Sequence, residues 1–338
     1  MRRSVALFLA LLILCGCQAA PTATPVSGEM TVHYLDVGQA DCILVQCEGE
    51  NLLIDGGNVD DSDRVVSYLL DQKVAKLDYV VCTHAHEDHV GGLPAVLAVF
   101  ETETLWCPVT EYDSKCFRDF LYYADQQELT LTCPQPGSTY ELGDAQITIL
   151  GPVNVYDEPN NTSIVLRVNY GETSFLFTGD AETQVEQDIL DAGFDVSATV
   201  LKAGHHGSST SNSYRWLREV SPAYAVIPVG TDNVYGHPHD EVLSRLRDAE
   251  VITYRTDLQG HIVCHSDGNN VRFETVRQVS VTNPTEPVNA DLFIGNRNSK
   301  KFHLPSCGGL PAEHNQIEFD DYDSAIAAGY TPCGNCMG

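Results

Sequence analysis

The chain has 338 residues, 43 % hydrophobic and 20 % charged, which suffices for a large buried core and excludes a wholly disordered chain. Nineteen Lys and Arg face 47 Asp and Glu, a formal net charge of 19 − 47 = −28. A broad electrostatic grip on nucleic acid or on an anionic membrane is therefore excluded. Catalysis on a phosphodiester is not, because metal ions invert the field locally.

At the start of the chain, Arg2 and Arg3 precede an apolar run, residues 5–14, that is too short to span a bilayer well and has the length of a signal segment. The run ends in Leu14-Cys15-Gly16-Cys17, which resembles the bacterial lipoprotein signal, where the Cys after a small residue is lipidated. The matching residue is Cys17; a plain cleaved signal or a short anchor helix is the alternative. The resemblance implies a signal at 1–17 and an exported chain, lipid-anchored on the outer face of the bacterial cell membrane. Residues 18–29, rich in Pro, Thr and Ala, read as a flexible tether.

From residue 30 the pattern runs strand, strand, then strand alternating with helix. Strands are expected at 31–37, 42–47 and 51–55, and a helix at 63–72. A buried strand over 78–84 leads into a histidine cluster. Helices are expected at 92–100 and 114–126, strands at 147–152, 163–171 and 173–180, and a helix at 182–192. A strand at 199–204, a helix at 214–220, a strand at 223–230, a helix at 240–249 and terminal strands ending near 276 complete the set. Such an order predicts an α/β fold, two sheets with outer helices in an αββα sandwich, over 30–278. Residues 279–290 hold two prolines without periodicity and read as a linker to a small module at 291–338. Seven cysteines fall in the main domain, an odd number that cannot all pair internally.

The densest signal is Thr83-His84-Ala85-His86-Glu87-Asp88-His89, straight after the apolar strand. Its imidazoles and carboxylates are a set of metal ligands, with His84 and His86 suited to one ion and Asp88 and His89 to a second. With Gly91-Gly92 it resembles the signature of the metallo-β-lactamase superfamily. Leu53-Ile54-Asp55-Gly56-Gly57 resembles that family's first motif, whose Asp orients ligands, and Thr178-Gly179-Asp180 its fourth, whose Asp bridges two ions. A closer resemblance is to the hydrolase domain of the ComEC competence family. It rests on residues 34–41, ending in Gly38-Gln39-Ala40-Asp41 where the family usually has Gly-Gln-Gly-Asp, on 160–166, on Gly204-His205-His206-Gly207, and on Tyr235-Gly236-His237-Pro238.

The resemblance implies an αββα metallo-β-lactamase sandwich holding two divalent ions, Zn or Mn, on His84, His86, Asp88, His89, Asp180 and His206. The third-motif histidine of the wider superfamily is absent between His89 and Asp180, where Asn161 or Ser163 stands instead, so the first ion has few protein ligands. His206 is favoured over His205 as a ligand, leaving His205 as a proton donor. His237 is a further candidate for the leaving-group acid or a ligand; the alternative is a loop histidine packed on Pro238. Asp41 either hydrogen-bonds the site or ties a turn. Lys202 either faces a phosphate or is an ordinary surface lysine. The implied chemistry is hydrolysis by a hydroxide bridging two ions and oriented by Asp88, which makes DNA or another phosphodiester the expected substrate. A lactone, thioester or lactam hydrolase is the alternative of the same fold. A non-catalytic metal- or DNA-binding surface lipoprotein is the alternative outside enzymes.

In the C-terminal module, His303 and Cys307 are spaced i, i+4 and Cys333 and Cys336 form Cys-x-x-Cys, a set suited to one structural zinc. A disulfide is the alternative. Residues 293–303 and 325–333 resemble the metal-binding domain of the Ada alkylation-repair protein, with His303 in the first Cys position, which speaks against methyl acceptance.

Overall fold

The computed structural model describes residues 28–281, 293–304, 307–319, 322–334 and 336. The expected signal segment with Cys17, most of the expected 18–29 tether and residues 282–290 of the expected linker lie outside the described residues.

The first half comprises β1 (Met30–Tyr34), β2 (Ile43–Cys47), β3 (Glu50–Ile54), α1 (Ser62–Asp71), β4 (Lys76–Val81), α2 (Glu87–Val90), α3 (Leu93–Val99), β5 (Glu101–Trp106), α4 (Lys115–Gln126) and β6 (Leu131–Thr132). The second half comprises β7 (Thr139–Leu142), β8 (Ala145–Gly151), β9 (Val165–Tyr170), β10 (Thr173–Phe177), α5 (Thr183–Asp191), β11 (Val200–Lys202), α6 (Tyr214–Val220), β12 (Tyr224–Ile227), α7 (Asp240–Asp248), β13 (Ile252–Arg255), α8 (Thr256–Gln259), β14 (Ile262–Ser266) and β15 (Val271–Thr275). Among the described residues they form an eight-stranded sheet, β15-β14-β1-β2-β3-β4-β5-β6, and a seven-stranded sheet, β13-β12-β11-β10-β9-β8-β7.

Both faces of each sheet are apolar, because each is covered twice. Val32, Tyr34, Ile43 and Val45 of one sheet meet Ile147, Leu166, Val168 and Phe175 of the other in the central core. On the outer face of the first sheet, Leu44, Leu53 and Val80 pack against Val65 and Leu69 of α1 and Phe117, Phe120 and Ala124 of α4. On the outer face of the second, Leu176, Leu201 and Ala225 pack against Val185 and Ile189 of α5, Trp216 and Leu217 of α6, and Val242 and Leu246 of α7. The four layers are those of an αββα sandwich.

Three strands of the main domain were not expected from the sequence: β5, β7 and the two-residue β6. β5 alternates exposed Glu101 and Glu103 with buried Thr102 and Leu105, and pairs parallel with β4. Its short alternation sits between two apolar helices and is masked by them. β7 is mostly exposed and is held by its antiparallel hairpin with β8 rather than by its own residues.

The metal-ligand motifs all follow the carboxyl ends of strands, and glycines bring their loops together. A Cβ on Gly92 would lie 2.1 Å from the Gly56 carbonyl oxygen, and one on Gly91 would lie 2.5 Å from Val59 N. Only hydrogen fits, so the loop after β3 can seat against the start of α3, and Gly56 N donates to His89 O at 2.7 Å. Gly92→Ala is expected to lower the melting temperature by roughly 5–15 °C, measured by circular dichroism.

The C-terminal module is built from β16 (Phe293–Asn296), β17 (Lys301–His303), β18 (Gln316–Phe319), α9 (Tyr322–Ala327) and β19 (Thr331–Pro332), with strand order β18-β16-β17-β19. Phe293, Phe302, Phe319, Ala325 and Tyr330 fill its small core. Tyr214 of α6 meets Phe293 edge-on with ring centroids 5.5 Å apart, and the Arg218 guanidinium lies 5.0 Å above the Tyr322 ring.

Candidate metal centre

The carboxyl ends of β3, β4, β10, β11 and β12 converge on one cleft. β3 delivers Asp55, which takes a positive φ of 59°. That conformation is costly for a non-glycine residue, and its carboxylate is fully engaged in return. Asp55 Oδ1 accepts from Thr83 N and Oδ2 from Thr83 Oγ1, both at 2.7 Å, and Oδ2 lies 2.7 Å from His89 Nδ1. His89 is thereby turned so that its Nε2 points into the site, the usual way a carboxylate orients a ligand imidazole.

β11 runs into Gly204-His205-His206-Gly207, where His205 and His206 both have φ of 51°. Two successive left-handed residues are strained, and their surroundings impose them. Asn212 clamps Gly204 from both sides, Oδ1 accepting from Gly204 N at 2.8 Å and Nδ2 donating to Gly204 O at 2.9 Å. His206 Nδ1 lies 3.0 Å from Pro228 O, which aims Nε2 inward as Asp55 does for His89. The strain separates the neighbours: His206 is buried, whereas His205 is partly exposed and sets its Nδ1 3.2 Å from Thr210 Oγ1.

One ligand atom from each of Asp88, His89, Asp180 and His206 lies within 4.8 Å of all the others. His89 Nε2 is 3.4 Å from Asp180 Oδ1, and His206 Nε2 is 3.4 Å from Asp88 Oδ2. His89 Nε2, Asp180 Oδ1 and His206 Nε2 are buried with no hydrogen-bond partner. Orphaned polar atoms in a native interior need an explanation, and a divalent cation with imidazole and carboxylate ligands supplies one. His84 and His86 stand beside this quartet rather than in it. Their Nε2 and Nδ1 atoms are 3.1 Å apart, and the His84 and His89 ring centroids 4.1 Å apart.

Charge points the same way. Asp41, Asp55, Asp88 and Asp180 bring four carboxylates into a space where Lys202 is the one ammonium with an ion-pair contact to them among the described residues. Burial opposes protonating His89, yet Asp180, Asp55 and Asp88 lift it well above the ordinary histidine range. His206 is raised against its burial by Asp180 and Asp41. Burial is likewise outweighed at Asp180, whose carboxyl His206 and His89 hold well below its usual range. The histidines thus take up protons where a cation would relieve the same repulsion. Burial and the nearby His89 push His84 well below the ordinary range, leaving it a neutral imidazole.

Of the two residues considered for the missing third-motif position, Ser163 faces the site. Its Oγ accepts from Asp180 N at 3.1 Å and lies 3.4 Å from His84 Nδ1. Asn161 accepts from Glu182 N at 3.1 Å and ties down the start of α5. Lys202 is a correction: it is fully buried rather than an ordinary surface lysine, and it does not face the cleft. Its Nζ is 2.5 Å from Asp41 Oδ2 and donates to Gly179 O at 2.8 Å. Its place in an alternating strand buried on both faces was the available sign. Asp41 in turn lies 3.4 Å from His206 Nδ1.

The open side is a cleft of about 340 Å³ lined by His86, Asp88, Asp180, His205, His206 and His237 together with Gln39, Glu87, Asn160 and Tyr235. Gln39, Asn160 and Tyr235 had not been singled out from the sequence, although all three sit inside the quoted motifs. Gln39 Oε1 accepts from Gly230 N at 3.1 Å, which fixes its amide so that Nε2 faces His237 Nδ1 at 3.3 Å. His237 therefore carries its proton on Nε2. Burial, with His239 and His205 nearby, takes its pKa down to about 4.

With this geometry in place, comparison with known proteins gives the family. The Metallo-beta-lactamase superfamily model matches residues 35–231. The chain belongs to that superfamily. Its main domain falls in the ComEC-like branch, being 28 % identical over 258 residues to ComE operon protein 3 of Bacillus subtilis (70 % of this chain, 33 % of that protein). It is 32 % identical over 257 residues to competence protein ComA of Neisseria gonorrhoeae (74 % and 34 %). The chain thus spans about a third of the length of these curated relatives. Among solved structures, the metallo-beta-lactamase fold protein YhfI from Bacillus subtilis aligns at TM-score 0.47 and 16 % identity, over 73 % of this chain and 100 % of that one.

In the C-terminal module, ligand atoms of His303, Cys307, Cys333 and Cys336 lie within 4.8 Å of one another, with His303 Nδ1 3.4 Å from Cys307 Sγ. Cys307 and Cys336 are thiols, not halves of a disulfide. Burial and the adjacent Cys307 and Cys333 push the Cys336 thiol up to about 12.

Lys202→Met keeps the length of the side chain but leaves Asp41 buried beside other carboxylates. Breaking such a pair costs about 3–5 kcal/mol, so the urea midpoint should fall markedly with little change in slope.

Proposed function

We propose that the chain is a phosphodiesterase, a DNase dependent on divalent zinc or manganese, working outside the cytoplasm and held at the outer face of the cell membrane by a lipid on Cys17. One observation carries the catalytic reading: the orphaned, inward-facing atoms of His89, Asp180 and His206, which with Asp88 offer a complete ligand set at the mouth of a cleft. The ComEC-like segments and a relative named as a competence protein favour DNA over lactam, lactone or thioester substrates. No helix among the described residues is long and apolar enough to cross a membrane, so the anchoring reading rests on the Cys17 motif alone.

Asp88, His89, Asp180 and His206 would hold one ion, and His84 and His86, sharing Asp180, the other. When bound, such ions supply Lewis acidity at phosphoryl oxygens and an acidified water near neutral pH. The chain's own groups do the rest. Asp55 and the Pro228 carbonyl keep His89 and His206 in the tautomer whose lone pair faces inward. Ser163 and Lys202 fix the Gly179-Asp180 turn by hydrogen bonds to Asp180 N and Gly179 O. His237, neutral with its pKa at about 4, presents Nε2–H as a hydrogen-bond donor rather than a proton source, and His205 its Nε2 edge, on the open side of the cleft.

The C-terminal quartet is read as a structural zinc site. Zinc would also explain how so small a sheet folds around five core side chains. Cys336→Ser should lower bound metal by one ion per chain, counted by plasma mass spectrometry.

The decisive experiment is cleavage of labelled single- and double-stranded DNA by the purified chain with zinc or manganese, beside Asp180→Ala and His86→Ala. Metal-dependent cleavage that falls by at least about 100-fold in both variants supports the nuclease reading. An inactive protein that still binds metal in its main domain would move the assignment to a carbonyl substrate.

A further inference from the structure

The cleft poses a problem for any nucleic-acid substrate. Its acidic lining residues are Glu87, Asp88 and Asp180, and no Lys or Arg is among its lining residues. Lys202, just beneath, is spent on Asp41. Proteins that hold nucleic acid usually do so through basic contacts to phosphate, and a chain with a net charge of −28 has no such surplus. Beyond the metal ligands, affinity has to come from the bases.

One side chain at the rim suits that task. Tyr235 is 65 % exposed, unusual for a large aromatic, and its neighbour Val234 is 92 % exposed. The Tyr235 ring lies nearly parallel to that of His237, at 26° with centroids 5.6 Å apart, and His237 is 5.6 Å from His205, whose Nε2 is 3.6 Å from Asp180 Oδ2. A short row of rings thus runs from solvent to the metal quartet. Its loop is held firmly. Asn233 Nδ2 donates to Gly230 O at 3.0 Å and to His237 O at 2.6 Å, and Asn233 Oδ1 accepts from His237 N at 3.0 Å. Gly236, with φ of 73°, makes the turn that sets the two rings together. By contrast Tyr112, the other tyrosine near a ligand, is half-buried and packs edge-on against His86 and Phe117.

We propose that Tyr235 is the platform of a nucleobase subsite, on which an unpaired base stacks while the neighbouring phosphodiester enters the metal cleft. The proposal rests on the phosphodiesterase reading and deepens it, since it makes the preferred substrate a single strand. In a duplex the faces of internal bases are already stacked on one another and cannot reach the ring. Every base has a π-face, so the subsite tolerates sequence. Because stacking replaces phosphate contacts, binding should depend only shallowly on salt.

The test compares cleavage of a single-stranded oligonucleotide with that of an abasic strand of the same length, using the full chain loaded with manganese. The wild type is expected to favour the base-bearing strand in kcat/KM by between about 5- and 100-fold, the range of one base–aromatic stack. Tyr235→Ala should bring that ratio close to one, chiefly through KM, and Tyr235→Trp should restore it. A wild type that cleaves both strands equally, or a Tyr235→Ala variant that keeps the full ratio, overturns the subsite and leaves the phosphodiesterase reading standing. A wild type that cleaves neither strand defeats both.

Discussion

Four carboxylates gathered at the seam between two sheets are the constraint around which the rest of the centre is arranged. Asp41, Asp55 and Asp180 arrive on three different loops and Asp88 on the short helix α2, and all but Asp88 are buried. Like charges in a poorly solvated space repel strongly. The fold answers with an ammonium on Asp41, imidazoles against Asp55, Asp88 and Asp180, and space for divalent ions at the remaining lone pairs. The strained backbone at Asp55, His205 and His206 follows from the same demand, because each left-handed residue turns a side chain toward or away from that charge.

The centre is asymmetric in a way that follows from its ligands. In the quartet, His89, Asp180 and His206 are buried and Asp88 is partly exposed. His84 is buried and His86 partly exposed beside it, and Ser163 contacts His84 and Asp180 N. A hydroxyl is a weaker donor to a borderline cation than an imidazole. On the two-ion proposal, an ion on His84 and His86 would therefore be the more weakly held by the protein.

The C-terminal module adds a second kind of chemistry. Its three sulfurs and one imidazole are softer donors than the imidazoles and carboxylates of the main centre and would select differently among metals. Tyr214 links the two parts. It packs on Phe293 of the module, while its own helix, α6, follows the Asn212–Ser213 segment that clamps the His205-His206 turn. The module thus bears on the helix that follows the His205-His206 loop.

Residue type and local spacing carried much of this. A cluster such as 83–89 declares a metal centre because its donors are neighbours along the chain, and strands buried on both faces declare themselves by continuous apolar runs. Helix α6 was legible near 214–220, and the structure bounds it there with the Ser213 cap and a left-handed Ser221. What depended on residues far apart was not legible. β7 exists only by pairing with β8, and β5 only by lying beside β4. Whether Asn161 or Ser163 faces the cleft was decided by the turn before β9, which sets Ser163 Oγ against Asp180 N. Lys202 looked like a surface residue until a partner 161 positions away, Asp41, was placed 2.5 Å from it. Sequence by itself determined which donors the protein owns and the layered fold that holds them. Tertiary structure alone decided which way each donor faces, because orientation depends on loops that meet only after the two sheets have packed.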